Sequence, residues 1–542
     1  MSKTTNMSDS QPLNAQPRVL VCDHIDASAV DILKPVAQVT ESAPLSEDAL
    51  IEALEGIDVL LVRSQTKVTA RVIESTRQLK MIARAGVGVD NIDLEAATRQ
   101  GIMVVNSPSG NTMAAAEHTL GLMFALARYV PAADQSLRNN EWKRKDFLGS
   151  ELNGKVLGIV GLGKIGTHVA RVAHAMNMQL VGFDPFVSKE QAQRMHVELL
   201  PLQEVFARAD YLSLHVPNTP ETHHMINAES IAMMKDGVRI INCARGQLVD
   251  SEALAAAVKS GKVAGAALDV FEQEPLIDSP LQTLGRDVIL TPHLGASTKE
   301  AQVNVARDVA EQAVKLLQGE SVQNAINIPS LMPRLLQDVQ PYFPLAENLG
   351  SFLGQLQSLP IERVEIEYVG ELADKNTEPL KVALLRGLLK HSLPEQVNYV
   401  NALYLAQERG IEVNETQTHF SSDYTNLISL SVYFDNGEHR HVAGSIIGEG
   451  EERIVHIDHF PIGCIPAGHM LVVPHPDKPG MIGVMGELLG DLDINISGIQ
   501  LGRHGKRGPA VMVINVDEKL DQQVMKTIQA RSEFAHSRLV VL

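Results

Sequence analysis

The chain has 542 residues, a formal net charge of -18 at pH 7 and 44% hydrophobic residues. This length allows three or four domains, each large enough to bury its own core. The acidic balance argues against nonspecific nucleic-acid binding, because phosphate contacts require clustered Lys and Arg side chains. It leaves room for a local basic pocket that binds a small anion.

The three cysteines, Cys22, Cys243 and Cys464, are isolated along the sequence. None has CxxC or Cys/His spacing, which excludes a disulfide framework and gives no support to a metal site. No apolar stretch approaches the roughly 20 residues that cross a bilayer, so we expect no membrane association. The polar residues 1–17 lack a secretory signal and predict a disordered tail, with a transit peptide as the weaker alternative. We therefore expect a cytoplasmic protein.

Short apolar runs alternate with helical stretches from Arg18 to about Met332. The runs are RVLVCDHI, VLLVRS, MIARAGVG and IMVVNSP and, after a long helix, VLGIVG, QLVGFDP, YLSLHVP, VRIINCARG, AGAALDV and DVILTPH. Nearly continuous apolar strands, each followed by a helix, predict parallel sheets that are covered on both faces. The number of runs favours two successive doubly wound α/β domains.

The pattern changes near Pro333, where prolines interrupt the alternation. From there to about Ile465 the sequence predicts an α+β module. A last module begins at Met470, and its segments predict the order strand, helix, strand, strand, helix, strand. This βαββαβ order is typical of a ferredoxin-like domain.

The segment GLGKIG at 161–166 follows the strand VLGIV and opens a helix, which is the context that a dinucleotide-binding motif requires. Gly161 can form the tight turn, Gly163 lets the backbone approach a pyrophosphate, and Gly166 allows close packing of helix on strand. The N-terminus of the helix supplies N–H groups for the phosphates. The alternative is a set of structural glycines in a domain that binds no nucleotide.

Asp184 ends the next strand, where a carboxylate can accept hydrogen bonds from both ribose hydroxyls. No Arg follows it immediately, and its negative charge would repel a 2′-phosphate. The sequence therefore favours NAD over NADP.

Polar side chains follow three strands farther along the chain: Arg245 in INCARGQLVD, Glu274 in LDVFEQEP and His293 in ILTPHLGAST. Ligands of open α/β sheets bind beyond the carboxyl ends of strands, so we expect these groups to converge on a nicotinamide. Arg245 can hold a substrate carboxylate with two parallel hydrogen bonds. His293 can take the hydroxyl proton as hydride leaves the carbon, and Glu274 can orient the imidazole. Glu272 is interpreted as a solvated side chain.

In their order along the chain, RAGVGVDNID, NSPSGNTMAAAEH, GLGKIG, NCARGQLVD, ALDVFEQEP and TPHLGAS resemble the motifs of the D-isomer-specific 2-hydroxyacid dehydrogenase family. The resemblance implies that Arg245, Glu274 and His293 are the catalytic residues. It also implies an NAD-lining set, which consists of Gly161, Gly163, Lys164, Ile165, Gly166, Asp184, Cys243, Ala244, Arg245, Asp269, His293, Leu294, Gly295 and Ala296.

The resemblance further implies a discontinuous substrate-binding domain, residues 18–110 joined by 303–332, around an NAD-binding domain of residues 111–302. Residues 333–466 resemble the intervening domain of long family members. Residues 467–542 resemble an ACT domain, a module that binds amino acids at paired interfaces. The resemblance places the active site in the cleft between the first two domains. It implies a homodimer formed through the NAD-binding domain, with a homotetramer left open.

A phosphorylated 2-hydroxy acid needs further positive charge, and Arg63 and Arg84 follow two strands of the first domain. Asn106 is a further candidate for substrate binding. In the resembled family a basic residue of EWKRKDF reaches the neighbouring subunit's site, and Arg144 is the candidate here. The alternative is a solvated surface patch, and these charges alone do not separate phosphoglycerate from glycerate as the substrate.

Two segments of the last module match an effector site of the resembled ACT domains. His475 and Asp477 lie in HPDKPG, and Asn495 lies in INIS. The match implies regulation by L-serine, with a purely structural ACT pair as the alternative. In the preceding module, the basic segment 381–390 is either an anion site or a solvated helix face.

The resemblance implies NAD-linked oxidation of 3-phospho-D-glycerate to 3-phosphooxypyruvate, the first step towards L-serine. A D-glycerate or hydroxypyruvate reductase is the enzymatic alternative, but short relatives of that type usually lack the two C-terminal modules. An NAD-sensing corepressor on the same fold is the alternative from another functional class, and the ACT-like tail disfavours it.

Overall fold

The computed structural model describes residues 16–328, 336–356, 359–393, 396–419, 424–448 and 450–542. The expected disordered tail falls on residues 1–15, and the expected boundary near 333 also falls outside the described residues. Among the described helices, none is long and apolar enough to cross a membrane.

The first sheet has five parallel strands in the order β2-β1-β3-β4-β5. The strands are β1 (Arg18–Val21), β2 (Gln38–Glu41), β3 (Val59–Val62), β4 (Met81–Arg84) and β5 (Met103–Asn106). The helices between them are α1 (Ala27–Leu33), α2 (Glu47–Ala53), α3 (Ala70–Ser75) and α4 (Leu94–Arg99). Each helix begins after a side chain that accepts a backbone N–H, namely Asp26, Ser46, Thr69 and Asp93.

Two helices connect the first sheet to the second, α5 (Thr112–Arg128) and α6 (Val130–Arg138). The sequence predicts a long helix that ends near Val130, and α5 ends at Arg128, so that Tyr129 separates it from α6. Tyr129 has a left-handed φ of 52°, and a proline occupies the first turn of α6. A proline is tolerated in a first helical turn but not in a helix interior, so the second helix starts anew at this point.

The second sheet has seven parallel strands in the order β12-β11-β10-β9-β6-β7-β8. The strands are β6 (Val156–Val160), β7 (Gln179–Phe183), β8 (Glu198–Leu199), β9 (Tyr211–Leu214), β10 (Val238–Asn242), β11 (Val263–Leu268) and β12 (Val288–Leu290). The helices between them are α7 (Lys164–Ala175), α8 (Lys189–Arg194), α9 (Leu202–Arg208), α10 (Ala228–Met233) and α11 (Ser251–Ser260). The strand order reverses beside β6, which makes its carboxyl end the expected ligand site.

After β12 the chain returns to the first sheet through α12 (Lys299–Leu317). Val305 and Val309 of this helix share a buried cluster with Ala29 and Leu33 of α1. Farther along, Ala325 forms a bridge to β5. The first sheet is therefore covered by helices from two separate stretches of the chain.

The third sheet has the order β14-β13-β15-β16-β17-β18 and is antiparallel except for β13 and β14. Its strands are β13 (Ile361–Gly370), β14 (Glu412–Thr418), β15 (Asn426–Phe434), β16 (His439–Ile447), β17 (Glu451–Ile457) and β18 (Phe460–Cys464). Its helices are α13 (Phe343–Leu356), α14 (Glu378–Leu389) and α15 (Ala402–Glu408).

The C-terminal sheet is antiparallel with the order β20-β21-β19-β22. Its elements are β19 (His469–Pro476), α16 (Met481–Asp491), β20 (Ile496–Arg503), β21 (Pro509–Val516), α17 (Gln522–Gln529) and β22 (Arg538–Val541). Alternate residues of β19 face opposite sides, as in any strand. Leu471 and Val473 pack under α16 and α17, whereas Met470 and Val472 join the core of the third sheet. One face of the C-terminal sheet therefore belongs to the core of the third sheet, while its other face has a core of its own.

The fold class predicted from the sequence is confirmed. The chain has two doubly wound parallel sheets, an α+β module and a C-terminal βαββαβ domain.

Candidate active site

The carboxyl ends of the two parallel sheets face each other across a cleft. Arg245, which follows β10, forms an ion pair with Asp90, which lies beyond β4. Lys164, at the start of α7, donates a hydrogen bond to Ser109, which lies beyond β5. The loops at these two edges therefore bring polar side chains of both sheets into one site.

The glycine-rich loop after β6 has the geometry that the sequence predicts. Gly161 has a φ of 95°, and a Cβ there would lie 2.5 Å from the carbonyl oxygen of His215. A Cβ at Gly166 would overlap the carbonyl of Gly161, whereas no described atom lies within 4 Å of a Cβ built at Gly163. No side chain of the described residues caps α7. The open face at Gly163 and the uncapped helix N-terminus fit a pyrophosphate.

The carboxylate of Asp184 lies beside this loop at the end of β7. One oxygen accepts a hydrogen bond from the Leu162 N–H at 2.8 Å and the other from the Phe186 N–H at 2.9 Å. Each carboxylate oxygen has a further lone pair, so the group can still accept hydrogen bonds from ribose hydroxyls. The site residues thus fit the dinucleotide that the sequence predicts.

Apolar side chains lie beneath the glycine-rich loop. Ile165 and Cys243 belong to the cluster under α7, and Ala244 packs against the neighbouring cluster. Burial raises the pKa of the Cys243 thiol to about 12, so the thiol is neutral at physiological pH. Cys243 therefore acts here as a small apolar side chain.

His293 and Glu274 form a hydrogen-bonded pair at the carboxyl edge of the second sheet. The Nδ1 atom of His293 lies 2.8 Å from the Glu274 carboxylate, whose other oxygen accepts from the Phe271 N–H at 3.1 Å. Burial opposes ionisation of Glu274, but the hydrogen bond and the charge of His293 together with the Phe271 N–H outweigh it, and the pKa of Glu274 is lowered. The pair orients the imidazole, and half of the His293 side chain is exposed.

Asp269 is fully buried and holds the turn that carries His293. Its carboxylate accepts hydrogen bonds at 2.8 Å from the N–H groups of Leu294 and Gly295. The Thr291 hydroxyl donates to it at 2.6 Å, and His118 lies 3.1 Å away. Although burial opposes ionisation, these bonds lower the pKa of Asp269. The sequence offered Asp269 as an NAD-lining residue, and the structure shows that it also fixes the His293 turn.

The guanidinium of Arg245 lies against the backbone of the opposite domain. Its Nε atom is 3.2 Å from the Asp90 carboxylate, and a Cβ at Gly88 would overlap its Nη2 atom. Its Nη1 atom donates to the carbonyl of Ala244 at 2.7 Å. Gly88 therefore supplies the space that lets this arginine reach the cleft. Asp90 and Gly88 lie in RAGVGVDNID, but the sequence does not reveal their contact with Arg245.

Two further arginines enlarge the positive charge of the cleft. Arg84 is largely buried, and its Nε atom has no hydrogen-bond partner among the described residues. Burial lowers the pKa of Arg84 to about 10, and the charges of Arg245 and Arg63 add to this effect. Asp90 and Asp23 oppose the shift. The cleft thus brings three guanidinium groups together, with the carboxylates of Asp90 and Asp23 beside them.

Asp23 positions Arg63, and the sequence analysis missed it. Its buried carboxylate accepts from the N–H groups of Arg63 at 2.8 Å and Thr66 at 3.0 Å, and from the Thr66 hydroxyl. The side-chain amide of Asn91 donates to the carbonyls of the same two residues. An aspartate directly after strand β1 is the signal that marks this position in the sequence.

The two remaining substrate-binding candidates, Asn106 and Arg144, lie in different surroundings. Asn106 ends β5 and donates its amide to the Val87 carbonyl, so it supports the loop that meets Arg245. Arg144 begins the short 3-10 helix Arg144–Phe147, which lies on an exposed segment beside Trp142 and Leu148.

The effector candidates do not form one site within this chain. His475 is the next-to-last residue of β19, and Asp477 follows the strand, near the Arg503 end of β20. Asn495 immediately precedes the opposite end of β20. Eight strand residues span roughly 25 Å, so Asn495 and Asp477 lie at opposite ends of the sheet.

Three stretches of the chain match known family models. Residues 120–295 match the NAD binding domain of the D-isomer specific 2-hydroxyacid dehydrogenases. Residues 338–458 match the D-3-phosphoglycerate dehydrogenase intervening domain, and residues 469–533 match the ACT domain.

Curated relatives match nearly the whole chain. The D-3-phosphoglycerate dehydrogenase of Synechocystis sp. is 50% identical over 512 residues, which cover 94% of this chain and 92% of the relative. The enzymes of that name from Methanocaldococcus jannaschii and Bacillus subtilis are 45% and 43% identical. They cover 94% and 91% of this chain, and 97% and 93% of their own lengths.

Solved structures match the two doubly wound domains. The D-lactate dehydrogenase of Escherichia coli has a TM-score of 0.51 and 30% identity, over 57% of this chain and 99% of that chain. The Aquifex aeolicus D-lactate dehydrogenase, complexed with NAD and lactic acid, has a TM-score of 0.51 and 29% identity over 56% and 96%. With a paired His293 and Glu274, a glycine-rich loop, and these matches along its length, the chain belongs to the D-3-phosphoglycerate dehydrogenase family of the D-isomer-specific 2-hydroxyacid dehydrogenases.

Proposed function

We propose that this chain oxidises 3-phospho-D-glycerate to 3-phosphooxypyruvate with NAD as the oxidant. The observation that carries the proposal is the His293–Glu274 pair in a cleft that also holds three guanidinium groups. A paired imidazole serves a reaction that moves one proton, and the arginines serve a substrate with two anionic ends.

Three side chains take the chemical roles. Arg245 holds the substrate carboxylate after exchanging its contact with Asp90 for the substrate. The Nε2 atom of His293 takes the proton of the C2 hydroxyl, while Glu274 at Nδ1 stabilises the imidazolium that forms. When NAD is bound, it accepts the hydride that leaves C2. In the reverse direction His293 returns the proton to the oxygen of the oxoacid.

Arg63, Arg84 and Asn106 serve the substrate from the first domain. Arg63 and Arg84 contribute charge for the phosphate, and Asn106 holds the loop that faces Arg245. Arg144 completes the site of the neighbouring subunit. The unpaired Nε atom of the buried Arg84 supports the assignment of Arg84 to the phosphate, because a buried donor requires an acceptor.

NAD binds along the carboxyl edge of the second sheet, against the NAD-lining set defined above. The open backbone at Gly163 supports the pyrophosphate position, and Asp184 at the end of β7 supports the ribose position. We assign residues 18–110 with 303–332 to substrate binding and residues 111–302 to NAD binding. Residues 333–466 and 467–542 are assigned to the intervening and ACT domains.

The active assembly is a homodimer, or a homotetramer built from it, joined through the NAD-binding domain. Large apolar side chains are exposed on α5, α6 and the segment after them, including Phe124, Leu137, Trp142 at 84% and Leu148 at 87%. Apolar patches of this kind on a globular domain mark association surfaces. The same segment carries Arg144, so dimer formation would deliver this residue to a second active site.

L-Serine binds between paired ACT domains and lowers activity. His475 and Asp477 lie at one end of the C-terminal sheet and Asn495 at the other, so a complete site requires a second copy. The Nε2 atom of the buried His475 has no partner among the described residues, which leaves it available to a ligand.

We place the enzyme in the cytoplasm, where its unpaired thiols remain reduced.

The decisive assay follows NADH consumption at neutral pH with 3-phosphooxypyruvate and with hydroxypyruvate, each with and without L-serine. The proposal predicts a higher kcat/KM for the phosphorylated oxoacid, lowered by L-serine. Preference without inhibition would retain the reaction and make the ACT pair structural. Equal or faster turnover of hydroxypyruvate would favour a glycerate dehydrogenase instead.

A further inference from the structure

Glu272 lies between β11 and β12, two residues before Glu274. Its carboxylate is partly buried and contacts two other segments of the chain. The Nε2 atom of His224 lies 2.6 Å from one oxygen, and the Ser251 backbone N–H donates to the other at 3.2 Å. The Ser251 hydroxyl donates to that second oxygen as well. Glu272 is therefore not the solvated side chain that its sequence position suggests.

These contacts join three loops at the carboxyl edge of the second sheet. His224 belongs to the loop after β9, and Ser251 begins α11, directly after the loop that carries Arg245. The loop that carries His224 and the loop that carries Arg245 also pair through their backbones, since the His224 N–H donates to the Gln247 carbonyl at 2.8 Å. Glu272 thereby connects the Glu274 loop to both.

The Arg245 and Glu274 loops are in direct contact at Gly246 and Phe271. A Cβ at Gly246 would overlap the Phe271 carbonyl, so the two backbones approach as closely as a glycine permits. The Gln247 side-chain amide donates to the Glu272 carbonyl at 3.4 Å. The backbone contact between Gly246 and Phe271 fixes the distance between the two loops in one direction only. A hydrogen-bonded side chain on each side of this contact is needed to stop the loops from sliding past each other.

The charge state of Glu272 suits this task. Burial opposes its ionisation, but hydrogen bonds from Ser251 and His224 outweigh burial and lower the pKa of the carboxyl. An ionised carboxylate accepts several hydrogen bonds at once and holds them more strongly than a neutral acceptor. His224 is further held by stacking on His223, with ring centroids 4.2 Å apart.

We propose that Glu272 is a positioning residue that fixes the Arg245 and Glu274 loops relative to each other through His224 and Ser251. The inference rests on the proposed function, because it assigns the substrate clamp to Arg245 and the orientation of the base to Glu274. Displacement of catalytic groups by about 1 Å costs up to roughly 100-fold in rate, so a residue outside the reacting shell can have a large kinetic effect.

The first experiment is Glu272→Ala in the full-length enzyme, assayed with whichever oxoacid the wild type reduces faster. We expect kcat/KM for that oxoacid to fall about 10-fold, with kcat and the oxoacid KM both affected. The NADH KM should change less than the oxoacid kcat/KM, since the hydrogen bonds of Glu272 run to His224 and Ser251 and not to the glycine-rich loop. Glu272→Gln retains an acceptor oxygen for Ser251 and should recover part of the loss. Unchanged kcat/KM, or an equal loss in NADH affinity, would overturn the proposal.

A double-mutant cycle with Glu274→Gln separates positioning from a general structural role. If Glu272 acts through Glu274, then Glu272→Ala should add less than about two-fold in the Glu274→Gln background. Two losses that multiply fully would contradict the proposal. The matched control is Glu198→Ala, because Glu198 forms an equally short pair with Arg208 at the opposite edge of the same sheet. This control should retain wild-type kinetics.

The outcomes also distinguish failure of the proposed substrate from failure of the positioning role of Glu272. A wild type that prefers hydroxypyruvate overturns the proposed substrate while the Glu272 variants still test positioning. A wild type that reduces neither oxoacid overturns both.

Discussion

The cleft and helix α14 of the intervening domain each present three basic side chains, but their surroundings differ. In the cleft, burial and the charges of Arg245 and Arg63 lower the pKa of Arg84 to about 10. On α14, burial opposes the charge of Lys381, yet Glu378 and Glu415 outweigh it and raise the pKa. Arg84 therefore faces net repulsion from the charges around it, whereas Lys381 is neutralised by carboxylates within the chain.

The other two basic groups of the α14 set are neutralised in the same way. Arg386 forms an ion pair with Glu347 and donates to the Tyr399 hydroxyl at 3.3 Å, and Lys390 lies 3.6 Å from Glu347. An anion would have to displace these carboxylates. A basic residue such as Arg84, whose Nε atom has no partner among the described residues, is available to an anion, whereas the α14 set is a structural network.

The largest expected effect is that of His293→Ala, which removes the proton acceptor of the cleft. Turnover should fall by about 1,000-fold, within the usual range for loss of a general base, while NADH affinity stays within about three-fold. Steady-state kinetics and NADH fluorescence titration measure the two quantities. His441→Gln in the third sheet is the control, because both nitrogens of His441 are hydrogen-bonded inside that domain. Near-normal turnover of His293→Ala would exclude it as the base.

Arg245→Lys sharpens the contrast between the two basic sets. A lysine keeps the charge but loses the planar pair of donors, so kcat/KM for the oxoacid should fall by about 100-fold. Arg386→Lys makes the same change on α14 and should leave kcat/KM within about two-fold. Equal losses for the two variants would mean that both sets bind the substrate or support it equally.

Asp184→Ala tests the cofactor end of the cleft. Removal of the carboxylate should raise the KM for NAD by about 10-fold and improve relative activity with NADP, because repulsion of a 2′-phosphate is lost. Initial rates with both cofactors give the ratio. Asp458→Ala, which breaks an ion pair with Arg440 in the third sheet, serves as the control. An unchanged cofactor preference would contradict the ribose contact.

The smallest expected effect is that of Lys381→Met. The side chain keeps its apolar length while the charge between Glu378 and Glu415 disappears, so stability should fall slightly and kcat/KM should not change by more than about two-fold. Thermal unfolding and steady-state rates in the presence of inorganic phosphate provide the measurement. If phosphate stabilises the wild type but not this variant, then the α14 set binds anions and the comparison is wrong.

The sequence predicted the elements that depend on local pattern. The Gly161 turn, the βαββαβ order and the two parallel sheets follow from glycine spacing and apolar periodicity within short windows. The end of the long helix near Val130 was predicted, but α6 was not, because a left-handed tyrosine has no sequence signature.

Contacts between distant segments were not predictable in the same way. Asp23 holds Arg63 from 40 residues away, and His224 meets Glu272 from 48 residues away. Asp23 lies outside the segment that carries Arg63, and His224 lies outside the segment that carries Glu272. A single sequence therefore provides no reason to pair them. Lys381 and Arg84 likewise look alike in sequence, because the charge around each is set by other strands and helices.

The most direct test of the account is the ratio of kcat/KM for 3-phosphooxypyruvate to that for hydroxypyruvate, measured in the wild type and in Arg84→Met. The account predicts a wild-type ratio of about 100 or more and a fall of at least about 10-fold in the variant, since a charge-assisted contact to phosphate is lost. The rate with hydroxypyruvate should change little. A wild-type ratio near one, or an equal loss for both oxoacids, would contradict the claim that Arg84 and its neighbouring arginines select a phosphorylated substrate.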